Sequence, residues 1–518
     1  MNSQSDNNKR IAKNTLLLYV RMLFSMLVSL YTSRAVLQTL GVEDYGIYNV
    51  VGGFATMFSL ISSSLSSAVS RFLTFELGIR NLSKLKRVFA TSLFVHLILA
   101  VIVFFFMETI GIWFLNTKMT IPLERLHAAN WVFQASILSF VLSLIGVPYD
   151  ASIVSHERLN AFAYIGILNV VLRLFVVLFI AHSTLFFDSL IVYALLLVLV
   201  NIFIQFIYIY YCRKHFEECR FHFIVDKSCL KEIGSFAGWN FIGSTAGILK
   251  DHGVNILLNV FLGPAVNAAR GISTSVNATL CLFANNFMTA LNPQIIKSFA
   301  SGESAYTTSL VVRGSRFSFY IVFIFALPVL LETDFILTLW LGQYPTYTVK
   351  FVRLALLLSM CDLLSNTLIT FQRATGKIRN YQLAVGGMLL LNFPLSYICL
   401  KLSFPPETVL IVALFISFAC MSLRLIFLYK IVRLSIKYYL KNVVCNVLLV
   451  SLCSIIIPII VYLQMSIGWK RFVIVGLLCV ACTGISILII GCSASERFFL
   501  CQKAQRVKQK YIKCKCIK

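Results

Sequence analysis

Negative charge is scarce in this chain: 20 Asp and Glu stand against 45 Lys and Arg, a formal net charge of +25 over 518 residues. Charge of either sign is scarce too, at 13% of residues, where a soluble globular chain carries about 25%. No long polar stretch separates the two ends, which leaves no room for a soluble catalytic domain. There is no Gly-rich nucleotide loop, no metal-ligand spacing and no catalytic triad, so a non-enzyme without cofactor or metal is expected. The 15 cysteines are scattered through apolar segments, Cys281, Cys361, Cys420, Cys453 and Cys482 among them, and read as small core hydrophobes. Cys514 and Cys516 lie in a basic tail without a prenylation box.

What is present is apolar bulk. Hydrophobic residues make up 59% of the chain, with 44 Phe, and the mean hydropathy is +0.86. This is the composition of an all-α polytopic membrane protein. At roughly 20 apolar residues per crossing, about 14 transmembrane helices are expected. They lie near 15–37, 46–70, 88–107, 128–148, 161–181, 186–211, 233–262, 272–293, 315–340, 350–371, 382–402, 406–429, 442–463 and 470–491. Ser, Asn and Gly interrupt the second, seventh and eighth. The first has no small-residue cleavage site and reads as a retained helix.

With the N-terminus inside, the inner loops and both tails hold about 32 Lys and Arg and the outer loops about 7. Both termini are therefore expected on the cytoplasmic side of the membrane. The positive charge sorts to one membrane face and calls for membrane lipids, not nucleic acid, as its surroundings. The loops are short. Membrane glycosyltransferases, polymerases and ligases need larger extramembrane loops to hold substrate, so transport fits better than chemistry.

An internal repeat sets the organisation. Ile11 precedes Gly41, and Ile233 precedes Gly263, by the same 30 residues. Each of those glycines follows a leucine, Leu40 and Leu262, and the Asp44-Tyr45-Gly46 turn falls opposite Val266-Asn267-Ala268. Six spans separate the copies, so parallel six-helix repeats around a central cavity are expected. The expected organisation is a cytoplasmic N-terminus (1–14), an N-terminal lobe (15–211), a cytoplasmic linker (212–232), a C-terminal lobe (233–430), two extra spans (431–491) and a basic cytoplasmic tail (492–518).

Charges inside spans cost about 2.5–3.5 kcal/mol each and need a partner or a wet cavity. They are Arg21, Arg34, Arg173, Lys250, Asp251 and Asp362, with Arg71 and Arg270 near span ends. Arg34, Arg71 and Arg270 read equally well as snorkelling to an interface. His96, alone on its helix, reads first as a hydrogen-bonded core residue. Lys250, Asp251 and His252 point in three directions on one helix, while Asp251, Asn255 and Asn259 share a face. The excess of fixed positive charge favours anions, and the guanidinium fork suits phosphate oxygens. Arg21, Arg34, Arg173, Lys250 and Arg270 are the candidate substrate-binding cations. Asp251 and Asp362 either pair with these cations or bind a driving H+ or Na+. Asn255 and Asn285 are candidate sugar contacts. The Ser59–Ser70 run, Gly243 and Gly247 read as close helix packing.

Leu40-Gly41-Val42-Glu43-Asp44-Tyr45-Gly46-Ile47-Tyr48-Asn49 resembles the first-hairpin turn of polysaccharide-biosynthesis flippases of the Wzx type, and Ser64 to Leu73 continue it. Lys250-Asp251-His252, Gly263-Pro264, Ala268-Ala269-Arg270-Gly271 and Asn292-Pro293-Gln294-Ile295-Ile296 resemble the second-half motif. The resemblance covers roughly residues 8–300. It implies a MATE-like two-lobe bundle of the multidrug/oligosaccharidyl-lipid/polysaccharide exporter superfamily, with lobes that rock. It also implies an undecaprenyl-pyrophosphate-linked oligosaccharide as substrate, such as an O-antigen or capsule unit, an ion gradient as drive, and polysaccharide polymerase machinery as a partner. A MATE-type multidrug antiporter and a membrane polymerase or ligase are the alternatives.

Overall fold

The computed structural model describes residues 2–56, 59–118, 121–182, 188–220, 226–262, 264–493 and 496–497; the side chains of Arg34, Asp251 and His252 fall outside that description. Among the described residues the chain is helix and turn without strands. In chain order the helices are α1 (Asn2–Thr56), α2 (Ser59–Ile79), α3 (Leu82–Phe106), α4 (Ile112–Lys118), α5 (Leu126–Ser155), α6 (Leu159–His182), α7 (Ser189–His215), α8 (Lys227–Leu262) and α9 (Pro264–Ala300). They continue with α10 (Ser304–Leu331), α11 (Thr333–Leu341), α12 (Thr348–Thr375), α13 (Arg379–Leu390), α14 (Asn392–Lys401), α15 (Thr408–Val432), α16 (Ile436–Tyr439), α17 (Asn446–Gln464) and α18 (Trp469–Ser486).

Local chemistry sets the boundaries. The Asn81 side chain caps α3 by accepting from Lys84 N at 3.0 Å, and Asp188 caps α7 by accepting from Leu190 N at 2.9 Å. Asp226 caps α8, accepting from the Ser228 hydroxyl at 2.7 Å and its amide at 2.8 Å; with Ser228 as the main cause, its carboxyl is held below its usual range. Pro264 opens α9, where its missing N–H costs nothing. The break between the first two crossings sits at Gly41 (φ 81°), and helix resumes through Asp44-Tyr45-Gly46 instead of turning there. A positive φ suits glycine, which has no Cβ to clash.

Eleven helical stretches among the described residues are long and apolar enough to cross a membrane. The other three expected spans, near 46–70, 233–262 and 272–293, are the ones interrupted by Ser, Asn and Gly. They are helical where described, in α1, α2, α8 and α9.

The chain divides into two compact units. Unit 1 is residues 1–246, 289–307 and 373–386; unit 2 is residues 247–288, 308–372 and 387–518. One apolar core of unit 1 gathers Phe72, Phe89, Tyr149, Tyr208 and Phe236, and a second gathers Val51, Met107, Phe133 and Leu144. In unit 2, Val254 and Leu258 of α8 pack with Phe351 and Leu358 of α12 and Val409 and Leu410 of α15.

Lipid offers no hydrophobic gain for joining helices, so small residues and polar contacts supply close packing. Gly243 does this: the Gln382 amide lies where a Cβ would stand. A Cβ at Gly247 would meet open space, so that glycine is not the helix contact expected of it.

Candidate functional site

In unit 1, Arg21 of α1 is half-buried, with its guanidinium 4.6 Å from the centre of the Phe162 ring of α6. Gly166 makes the room, since a Cβ there would approach Arg21 Cδ to 2.9 Å. Arg21 also interacts electrostatically with Tyr208 of α7. It is held among helices, not at a helix end. Arg173 of α6 is exposed and fixed along its own helix, Nε donating to Asn169 Oδ1 at 3.1 Å.

In unit 2, the Ser417 hydroxyl of α15 donates to the Asp362 carboxylate of α12. Cys420, one turn below Ser417, interacts with Asp362, with Lys250 of α8 and with Arg424. Lys250 and Asp362, expected as partners on charge grounds, thus share a neighbourhood. Arg424 is 8% exposed and joins them as an intramembrane cation that the sequence reading passed over. Arg270 is buried in α9, with its carbonyl taken by Ser273 at 2.7 Å and Thr274 at 2.9 Å. Asn255 is half-buried, and its Oδ1 has no hydrogen-bond partner among the described residues. Asn285 is exposed. Arg34 and Asp251 lie outside the described side chains.

Two readings sharpen. His96 is completely buried, with Nδ1 2.8 Å from the Ser92 carbonyl, as a core residue should be. Arg71 does not snorkel. It donates to the carbonyls of Arg373 at 3.2 Å and Ala374 at 3.0 Å, and lies over Phe72, Phe75 and Phe236.

The end of unit 1 that carries the basic loops holds a second polar centre. Glu157, in the turn between α5 and α6, is 5% exposed with φ 58°. Its carboxylate meets Arg10 Nε at 2.8 Å and Lys297 Nζ at 2.8 Å, and accepts from Gln294. Its carbonyl accepts from Asn14 at 3.4 Å. Nearby Glu76 of α2, 2% exposed, pairs with Lys84 at 3.1 Å. At the opposite end Arg125 joins Asp188 at 2.6 Å and Asp44, tying the approach to α5 to α1 and α7.

Against known proteins, a sequence model of the family described as "Polysaccharide biosynthesis protein" matches residues 11–306. No curated protein matches the chain. A MATE transporter in the straight conformation superposes with TM-score 0.69 at 14% identity, covering 84% of this chain and 97% of that one. An outward-facing multidrug resistance MATE transporter of the MOP superfamily gives TM-score 0.70 at 13% identity, covering 82% and 96%. A MOP superfamily transporter from Pyrococcus furiosus, described by the reverse polarity of its binding pocket, gives 0.68 at 12% identity, covering 82% and 96%. The fold is that of the MATE transporters. Since the family match takes in more than half of its residues, the chain belongs to the polysaccharide biosynthesis protein family.

Proposed function

We propose that the protein is a flippase. Its substrate is an undecaprenyl-pyrophosphate-linked oligosaccharide, an O-antigen, capsule or exopolysaccharide repeat unit, moved across a bacterial cytoplasmic membrane by alternating access. The observation that carries this reading is a polysaccharide-biosynthesis sequence family realised on a transporter fold. The cations support it: Arg21, Arg34, Arg173, Lys250 and Arg270 attract the pyrophosphate, with Arg21 held among the helices of unit 1. Asp251 or Asp362 couples the movement to H+ or Na+, and Asn255 and Asn285 meet sugar hydroxyls. The lobes 15–211 and 233–430 rock while the lipid tail stays in the bilayer, and polymerase machinery receives the flipped unit. Both termini face the cytoplasm on the charge distribution.

A multidrug antiporter shares the fold, but organic cations call for an acidic cavity. The reported pocket of reverse polarity in the Pyrococcus furiosus transporter supports the view that this fold accepts more than one cavity charge. The test is the membrane face on which lipid-linked units collect after gene deletion. Intact units on the cytoplasmic face are expected. Single unpolymerised units on the outer face would indicate a polymerase or ligase instead, and an unaltered glycan with raised drug susceptibility would indicate the antiporter.

A further inference from the structure

Within unit 1, α2 comes from the first copy of the repeat and the end of α9 from the second. Gly78 of α2 and Ala300 of α9 are 222 residues apart, the offset that separates Ile11 from Ile233. These equivalent residues touch: a Cβ at Gly78 would stand 2.7 Å from Ala300 Cβ and 2.9 Å from the Lys297 carbonyl oxygen. Around that contact each helix reaches to a turn of the other copy. Arg71 of α2 donates to the Arg373 and Ala374 carbonyls at 3.2 and 3.0 Å, beside Gly376. Gln294 and Lys297 of α9 donate to Glu157, in the turn after α5. Both turns carry a left-handed residue, Gly376 at φ 75° and Glu157 at φ 58°.

The two fastenings differ in chemistry. Arg71 is buried and held by backbone carbonyls. The other fastening is ionic, and its cations lie on the solvent side. The Glu157 side chain is 1% exposed, while those of Lys297 and Arg10 are 23% and 48% exposed. One carboxylate against two cations leaves the cluster with a net positive charge. A diphosphate diester carries a negative charge on each phosphoryl group and neutralises both cations, and its oxygens match the guanidinium fork. The turn is also strained. A left-handed backbone at a residue other than glycine persists only where its contacts hold it, so this turn relaxes once they are lost.

We propose that Arg10 and Lys297 form an anion site at the basic end of unit 1, occupied by Glu157 as a built-in competitor. A diphosphate group that reaches the two cations displaces the carboxylate, and the α5–α6 turn lets go of α9. Glu157 is a positioning residue that keeps the two copies fastened until an anion of higher charge arrives. The purpose, loading of the lipid-linked substrate, rests on the flippase reading; anion binding is measured without that substrate.

The test uses the full-length protein in nanodiscs of uncharged lipid. Inorganic pyrophosphate is the probe, and chloride at equal ionic strength is the control. Titration calorimetry gives the affinity, and hydrogen–deuterium exchange with mass spectrometry follows opening of the α5–α6 turn and the end of α9. In the wild type, pyrophosphate should bind and raise exchange in both segments, and chloride should not. Glu157→Gln removes the competitor and should bind pyrophosphate about tenfold more tightly. A Glu157 of structural role alone would leave that affinity unchanged. Arg10→Gln, at a residue half in water, should weaken binding about tenfold, so a folding defect in Glu157→Gln does not remove the answer. Wild-type affinity in both variants, or exchange that ignores pyrophosphate, overturns the proposal. Opening in phosphatidylglycerol nanodiscs without pyrophosphate would assign the site to bulk lipid headgroups and overturn it too. Opening by pyrophosphate without trapped lipid-linked units on gene deletion would sink the flippase reading alone. Trapped units with an indifferent cluster would sink this site alone.

Discussion

Lys297, at the end of α9, places its Nζ 2.8 Å from the Glu157 carboxylate, across 140 residues of sequence. Arg10 meets the same carboxylate at 2.8 Å, so one turn residue gathers the start of α1 and the end of α9. Removing a buried partner strands the charge it neutralised. Glu157→Ala should therefore destabilise the protein by about 2–3 kcal/mol, at the low end because Arg10 and Lys297 keep some water contact. Thermal unfolding in detergent measures this, and an unchanged midpoint would show that the cluster holds nothing together.

Gly376 is a narrower case. Its φ is 75°, and a Cβ there would stand 2.8 Å from Arg71 Nη2. Gly376→Ala combines a left-handed backbone with displacement of a guanidinium bonded to the Arg373 and Ala374 carbonyls. A loss of about 1–3 kcal/mol is expected. Gly247→Ala, where a Cβ meets open space, should be near neutral or mildly stabilising, because α8 gains helix propensity. Equal effects of the two substitutions would refute this account.

These residues also mark what the sequence made legible. Hydropathy and loop charge were enough for the helices, because a crossing must be long and apolar. Arg21, Lys250 and Asp362 stood out because each is a charge inside an apolar run. The end of the fourth span did not: its expected bound at 148 falls short, because α5 runs through Pro148 to Ser155. Arg424 lies close enough to the end of its span to pass for an interfacial residue. Glu157 carried no signal at all, since its partners Arg10, Gln294 and Lys297 are joined to it only by tertiary structure.

The last two crossings are bound to α10 and to the residue that follows it by polar contacts inside unit 2. Glu332, 1% exposed, meets Arg471 Nη2 at 2.8 Å, and Arg471 lies over the Tyr462 ring at 4.4 Å. At the other end Arg316 donates to the Gly491 carbonyl at 3.1 Å and pairs with Glu496 at 3.2 Å. Glu332→Ala and Arg471→Ala should each cost about 3–5 kcal/mol, because each leaves a buried charge alone. The double variant Glu332→Met with Arg471→Met should cost less than either. Additive losses would mean that the two residues act independently.

Reversing charge at Arg173 and Lys250 tests the cationic reading in cells. Arg173 is exposed and bonded to Asn169, and Lys250 is half-buried in unit 2. Arg173→Glu and Lys250→Glu should abolish surface glycan while the protein stays at wild-type amount in the membrane. Normal glycan display in both would remove the idea of a cationic path.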